Sequence, residues 1–382
     1  MTYHNLPITE ISGGCCCSSE ENTSEEKGNY GAECCGSSSA ECGCENRKVT
    51  SELSCCDILG TWKARWGIGR MSYAICPGLY QLGNPGPESH VFVTANYKLT
   101  FDRLRSNLEG IDGWILVLDT KGINVWCAAG KGTFGTAELV ERIEAVNLEN
   151  KVTHRKIIVP QLGAVGVRAR EVKDLTGFKV VFGPVRSEDI PEFLEKNLKA
   201  TPEMRKVTFG FWDRLVLVPM EITGSVKYAL MIMTGFFLLA GLGRGGFSLE
   251  RMRKDGFKSV GLFSGGYLSG TALTPALLPW FPGKAFAAKG AWAGQLYALI
   301  AGYLGKKRLL PGRHNLGGTA WTLMIAAISS FMGMNFTGSS TYTSLSGVRK
   351  EMRVAVPLQI IAAAFGLILW IISLFNDGDN NE

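Results

Sequence analysis

Five stretches in the second half of the chain carry no charged residue: Tyr228–Gly243, Ser259–Phe281, Gly290–Gly305, Ala320–Gly338 and Val354–Phe375. Crossing a bilayer as a helix takes about 20 apolar residues. The second and fifth stretches satisfy that outright. The first and third reach it with Lys227 and Lys289 near an end, where a lysine can snorkel to the interface. Their Gly- and Ala-rich composition suits close helix packing in lipid. The expectation is five spans over residues 222–382. The alternative is a set of buried helices in a water-soluble fold.

The rest of the 382 residues divides in two. Residues 1–61 are polar. Between Met1 and Cys56 lie nine Glu against Lys27, Arg47 and Lys48, and nine of the 11 cysteines. The whole chain is +6 and this stretch is −6, so the remainder carries +12. No apolar period is visible, which predicts a disordered tail. No basic start followed by an apolar run is present, so a signal peptide is not expected. Disulfides are then disfavoured, and metal or redox chemistry becomes the better reading of the cysteines.

Residues 62–221 alternate short β-branched runs with helical spacing. His90–Asn96, Trp114–Thr120, Lys156–Pro160 and Lys179–Val185 read as strands. Phe101–Glu109, Thr136–Leu148 and Ser187–Leu198 read as helices. That alternation predicts an α/β domain, Rossmann-like, with a mostly parallel sheet. Ligands of such sheets bind outside the carboxyl ends of the strands. The ends are Thr94-Ala95-Asn96, Asp119-Thr120-Lys121, Pro160-Gln161-Leu162-Gly163 and Gly183-Pro184-Val185-Arg186.

The stretch Gly122–Thr136 follows the strand ending at Asp119 and is the most informative in the chain. Asn124 is placed to cap a short helix containing Val125, Trp126, Cys127, Ala128 and Ala129. Cys127 then falls in the first turn, where the helix dipole favours a thiolate. Lys131 adds positive charge four residues on. Gly130, Gly132 and Gly135 let the backbone approach a large ligand, with Thr133 and Phe134 between them. Trp126 offers a flat apolar face. The plainer readings are a packed thiol for Cys127 and a solvated helix end for Lys131. A phosphate loop is disfavoured, because no Gly-Lys-Ser/Thr closes the glycines. His90 and His154 read as structural, and Cys76 as a packed thiol. Arg186 reads equally as a ligand for a phosphate or amide and as a surface ion pair.

The octapeptide Asn124-Val125-Trp126-Cys127-Ala128-Ala129-Gly130-Lys131 resembles the signature of the mercury-methylating corrinoid proteins, the HgcA family. Pro77–Tyr80, Val93–Lys98, Leu116–Thr120, Pro160–Ala164 and Gly183–Arg186 match in order, as does the expected five-span region. The soluble part is also similar to the corrinoid domain of the corrinoid iron–sulfur protein of acetyl-CoA synthesis. The resemblance implies a cobalamin-type corrinoid, with Cys127 as the lower axial ligand of cobalt and the strand ends lining the corrin. It implies a methyltransferase acting on inorganic Hg(II). The methyl group must then leave with its electrons, a departure that a thiolate ligand favours by pushing electron density onto the metal. It further implies a ferredoxin-like partner, HgcB, with two 4Fe–4S clusters, and methyl supply from a methyltetrahydrofolate-dependent system. Cys34, Cys35, Cys42, Cys44, Cys55 and Cys56 depart from the family pattern and suit Hg(II) capture. Incidental thiols are the alternative.

A carrier for another acceptor and a soft-metal transport protein are the competing readings. A long folded domain with no expected signal peptide is hard to export ahead of its first span, which predicts a cytoplasmic corrinoid domain on a multi-pass protein of the cell (inner) membrane. Loop charge opposes that orientation. Arg244, Arg251, Arg253, Lys254, Lys258, Lys306, Lys307, Arg308 and Arg313 would all face outward, against the positive-inside rule.

Overall fold

A computed structural model describes residues 47–304, 316–336 and 345–376. Its first unit is a six-stranded sheet of order β1-β2-β4-β3-β5-β6. The strands are β1 (Arg47–Val49), β2 (Gly78–Leu82), β3 (Val91–Ala95), β4 (Gly113–Leu118), β5 (Lys156–Val159) and β6 (Lys179–Phe182). Every neighbouring pair is parallel except β2 and β4. The α/β expectation with a mostly parallel sheet therefore holds, with one antiparallel strand added.

Alternation along β3 and β4 builds two cores. Val91, Val93, Leu116 and Leu118 face one side with Val125, Phe134, Leu139 and Val172. Phe92, Ile115 and Val117 face the other with Phe101, Leu104, Ile190 and Phe193. Those partners come from helices on both faces. Helices α3 (Val125–Lys131), α4 (Thr136–Ala145) and α5 (Ala169–Thr176) cover the first face. Helices α2 (Lys98–Ser106) and α6 (Ile190–Glu195) cover the second. The chain leaves β3 to one side, forming β4, and returns on the other, forming β5. The topological switch point thus lies between the carboxyl ends of β3 and β5.

The amino-terminal expectation needs correction. Residues 47–61 fall in the stretch read as a disordered tail, yet β1 pairs with β2 and Cys55–Arg65 forms helix α1. Ser54 and Asp57 cap α1 reciprocally. Four charges then pin it to α2. Lys98 Nζ lies 2.5 Å from Asp57 and 2.6 Å from Asp102, and Arg105 lies 2.7 Å from Asp57 and 2.9 Å from Asp102. Arg105 also donates to the carbonyls of Thr50 and Glu52. Burial pushes the Asp57 carboxyl up, but the hydrogen bonds from Lys98 and Ser54 outweigh it and hold the group well below the usual carboxylate range.

Beyond the sheet, α7 (Phe211–Leu215) leads into the long helices α8 (Val218–Leu239), α9 (Leu249–Leu268), α11 (Phe286–Leu304), α12 (Leu316–Asn335) and α13 (Leu345–Asn376). After α9 come a π-turn (Ser269–Leu273) and the single turn α10 (Thr274–Ala276), which contains Pro275 and ends the helical run. Each of the five charge-free stretches contributes to one of these long helices. Among the described residues, three helical stretches are long and apolar enough to cross a membrane: Phe211–Leu239, Leu316–Asn335 and Ser346–Asn376. Five was the expectation. Helix α9 falls short because Glu250, Arg251, Arg253, Lys254, Asp255 and Lys258 occupy its first half. Helix α11 is 19 residues long and dilutes its apolar residues with alanine, glycine and Lys289.

Candidate functional site

Helix α3 begins just past the carboxyl end of β4. The turn before it is built around Asn96. Its Oδ1 accepts from the backbone N–H of Thr120 at 3.1 Å and of Gly122 at 2.9 Å. The Thr120 hydroxyl sits between Asn96 Oδ1 (2.8 Å) and the Ile123 carbonyl oxygen (2.7 Å). Asp119 accepts from Asn96 Nδ2 at 3.3 Å and pairs with Lys121. Burial pushes the Asp119 carboxyl up, and the Lys121 hydrogen bonds more than reverse it, so the group is held low. Glu138 of α4 accepts from the Asp119 backbone N–H at 2.7 Å.

Asn124 then caps α3, its Oδ1 accepting from the Cys127 N–H at 2.9 Å. Val125, Ala128 and Ala129 are buried, whereas Trp126, Cys127, Gly130 and Lys131 are exposed. Gly132 closes the helix in the left-handed region, with φ 84°. The 3-10 turn Gln161–Val165 continues β5 and packs against this segment. A Cβ on Gly163 would lie 2.5 Å from the Phe134 ring, and one on Gly166 would lie 2.1 Å from the Phe134 carbonyl oxygen. By contrast, a Cβ on Gly130 or Gly132 would meet no protein atom within 4 Å.

The predicted residues sort into two groups. Trp126, Cys127, Gly130 and Lys131 present an open surface. Gln161 follows β5 beside the switch point, and its Oε1 is buried without a hydrogen-bond partner. Thr94, Asn96 and Thr120 are instead buried, and Asn96 and Thr120 form the polar support of the turn. Phe134, Gly163, Gly183 and Pro184 are buried, while Leu162, Ala164, Val185 and Thr133 are partly exposed. Arg186 makes an ion pair, its Nη2 lying 2.6 Å from Asp213 and its Nε 3.0 Å from Thr208 Oγ1.

Cys76 is buried, and His154 Nε2 lies 2.8 Å from the Ser89 carbonyl. Cys55 and Cys56 are exposed at the start of α1. Cys34, Cys35, Cys42 and Cys44 lie outside the described residues. Tyr97, at the end of β3, was not singled out from sequence. It is 5% exposed and its hydroxyl is buried without a partner.

A doubly wound domain thus presents an exposed cysteine on a capped helix, beside a switch point with an unspent acceptor. Residues 70–194 match the family described as CO dehydrogenase/acetyl-CoA synthase delta subunit. The chain is 42% identical over 123 residues to the acetyl-CoA decarbonylase/synthase complex subunit gamma of Archaeoglobus fulgidus, covering 32% of this chain and 26% of that protein. It is 34% identical over 122 residues to the corrinoid/iron-sulfur protein large subunit of Moorella thermoacetica, covering 31% and 27%. Each match spans about a quarter of the relative's length. Part of this chain is therefore related in sequence to these subunits.

Proposed function

We propose that this chain is a membrane-anchored corrinoid protein that carries a methyl group and transfers it to inorganic Hg(II), forming methylmercury. The observation that carries the reading is Cys127, exposed on the first turn of a helix seated beyond the carboxyl ends of the parallel strands. The relatives, one of them named for a corrinoid, support the cofactor class. The resemblance of Asn124–Lys131 to the mercury-methylating proteins supports the acceptor.

The residues present fit a large flat ligand. Gly130 and Gly132 leave open space where any side chain would stand, Trp126 is 47% exposed, and Gln161 holds a buried acceptor in reserve. When bound, a corrinoid supplies a cobalt centre able to hold a methyl group. Cys127 is the residue that would ligate that metal, from a helix turn that Asn124 keeps in register. Trp126 and Gly130 would meet the ring, and Gln161 would accept a hydrogen bond from a peripheral amide. A soft thiolate ligand also matches a soft metal substrate. Electrons would come from a ferredoxin-like partner with two 4Fe–4S clusters, and the methyl group from a methyltetrahydrofolate-dependent donor. The five long helices would serve as five spans, with the sheet domain in the cytoplasm.

A second reading, a methyl carrier for another acceptor, is favoured by relatives named for an acetyl-CoA decarbonylase/synthase complex. The test is the full chain purified in lipid, supplied with corrinoid, methyl donor, reductant and Hg(II). Bound corrinoid is read by absorbance and methylmercury by mass spectrometry. Methylmercury is expected from the wild type and none from Cys127→Ala. Corrinoid binding without methylmercury would select the second reading. A chain that takes up no corrinoid would refute both.

A further inference from the structure

Helix α1 is turned inside out for a helix of a soluble domain. Of its 11 residues only Ala64 is buried. Ile58, Trp62 and Trp66 recur at four-residue spacing and share one stripe with Leu59 beside them. They are 46%, 62%, 39% and 59% exposed. The turn that follows adds Ile68 at 63% and Met71 at 85%. The opposite stripe, Asp57 and Gly60, faces the domain, Gly60 so close to Tyr73 that a Cβ would lie 2.4 Å from its hydroxyl. Charge anchors that inner face, so the apolar face points outward by construction. Contiguous exposed patches of this kind mark an interaction surface.

Position identifies the occupant. Gly67, at the end of the stripe, sits on the first turns of α8, where a Cβ would lie 3.2 Å from Thr223 Oγ1 and 3.3 Å from Met220 Sδ. Those residues belong to the stretch Phe211–Leu239, which is long and apolar enough to cross a membrane. Phe211, Trp212 and Val216, at the entry to the same stretch, are also exposed. Aromatic side chains gather at the headgroup level of a bilayer. On the helical wheel Lys63 and Arg65 flank the apolar stripe on its two sides, where their stems reach towards headgroups. Burial, with Arg103 and Arg70 close by, pushes the Arg65 guanidinium down.

We infer that the segment Cys55–Ser72 lies in the membrane surface, its apolar stripe in the acyl boundary and its cations on anionic lipid headgroups. The inference rests on the reading of the long helices as spans. It has a consequence for the site. A Cβ on Gly122, in the turn that launches α3, would lie 3.5 Å from the Met71 carbonyl oxygen. The surface-bound segment therefore runs directly beneath that turn and holds the Cys127 helix near the bilayer plane.

The test uses the full chain in nanodiscs containing anionic lipid, with nitroxide-bearing lipid as a bilayer quencher and iodide as an aqueous one. An environment-sensitive fluorescent amino acid replaces, one at a time, Trp62, Ile68, Ile368 of α13, and Leu175, which is exposed at the end of α5 beside the amino end of β6. Positions 62 and 68 are expected to lose as much fluorescence to nitroxide lipid as position 368, and position 175 to lose none. Equal iodide quenching at 62, 68 and 175 would overturn the inference. So would protection from both quenchers at 62 and 68, which would mean a protein cover. Lack of lipid quenching at 368 would remove the spans and this inference with them. Corrinoid titration of the same chains is independent. A chain that binds none yet shows 62 and 68 in lipid loses the proposed function and keeps the membrane contact.

Discussion

Gly130→Ala separates a glycine kept for the fold from one kept for a ligand. Gly130 lies inside α3 in helical conformation, and an added Cβ meets no protein atom within 4 Å. In the protein alone the substitution should therefore stabilise, by up to about 1 kcal/mol, because alanine gives up less conformational freedom in a helix. A ring pressed against this face is affected in the opposite sense. Forcing one methyl group into a filled contact costs about 1–3 kcal/mol. That corresponds to corrinoid binding weaker by roughly 5- to 150-fold. Gly132 is the internal control. It also faces open space but holds φ 84°, so Gly132→Ala should destabilise the protein alone by about 1 kcal/mol. The assay is denaturant unfolding of the sheet-domain signal without cofactor, followed by corrinoid titration monitored by absorbance. Wild-type affinity in Gly130→Ala, or a loss of stability equal to that of Gly132→Ala, would refute the placement of a ligand on α3.

Asn124→Ala removes the cap that holds the Cys127 N–H and should cost about 1 kcal/mol of stability, with corrinoid affinity falling in parallel, measured by the same two assays. Cys127→Ala should change stability by less than about 0.5 kcal/mol, because the side chain is exposed, while altering the absorbance spectrum of any bound corrinoid. Asp57→Asn should cost about 2–4 kcal/mol, discounted from a fully buried pair by the partial exposure of its carboxylate. Its carboxyl is held low in the folded protein, so this contribution is complete above about pH 4 and fades as the pH falls towards the depressed value. The stability gap between wild type and Asp57→Asn should therefore shrink below about pH 4 in urea unfolding, and a gap that widened there would contradict the ion network.

The four strands read from sequence are those with short apolar, mostly β-branched runs, fully buried in β3 and β4 and less so in β5 and β6, where composition carries the signal. Strands β1 and β2 escaped for opposite reasons. Arg47-Lys48-Val49 has three residues and no apolar pattern, so pairing with β2 creates it. Gly78–Leu82 begins with glycine and takes its register from β4. Helix α1 escaped although Ser54 and Asp57 cap it and Ile58, Trp62 and Trp66 keep helical spacing, because that apolar stripe straddles the boundary drawn at residue 61 and its inner face is held by Asp57, Lys98 and Arg105, contacts 41 to 48 residues apart in sequence. At the site, strand-end position located the right loops but not the direction of side chains. Asn96 and Thr120 turned inward because the turn before α3 has backbone N–H groups to satisfy, and a short amide and a hydroxyl are what satisfy them.

The helix break and the buried arginine before α8 explain each other. Arg214 is 3% exposed, and its guanidinium donates to the carbonyls of Pro275 at 2.7 Å, Ala276 at 3.3 Å and Phe209 at 2.8 Å. Helix α10 ends at Ala276, and the last carbonyls of a helix have few intrahelical donors left to them. A rigid five-donor fork meets several of them at once, and the helix terminus favours its charge. Its neighbour Asp213 takes Arg186, at the end of β6, and the Gly210 N–H. Two consecutive residues thus tie the carboxyl side of the sheet to the broken helix, and Gly67 adds a second tie to α8. The carboxyl ends of the strands, beyond which α3 carries Cys127, are consequently tied to the segment that leads into the long helices, and no local pattern in either segment encodes that choice.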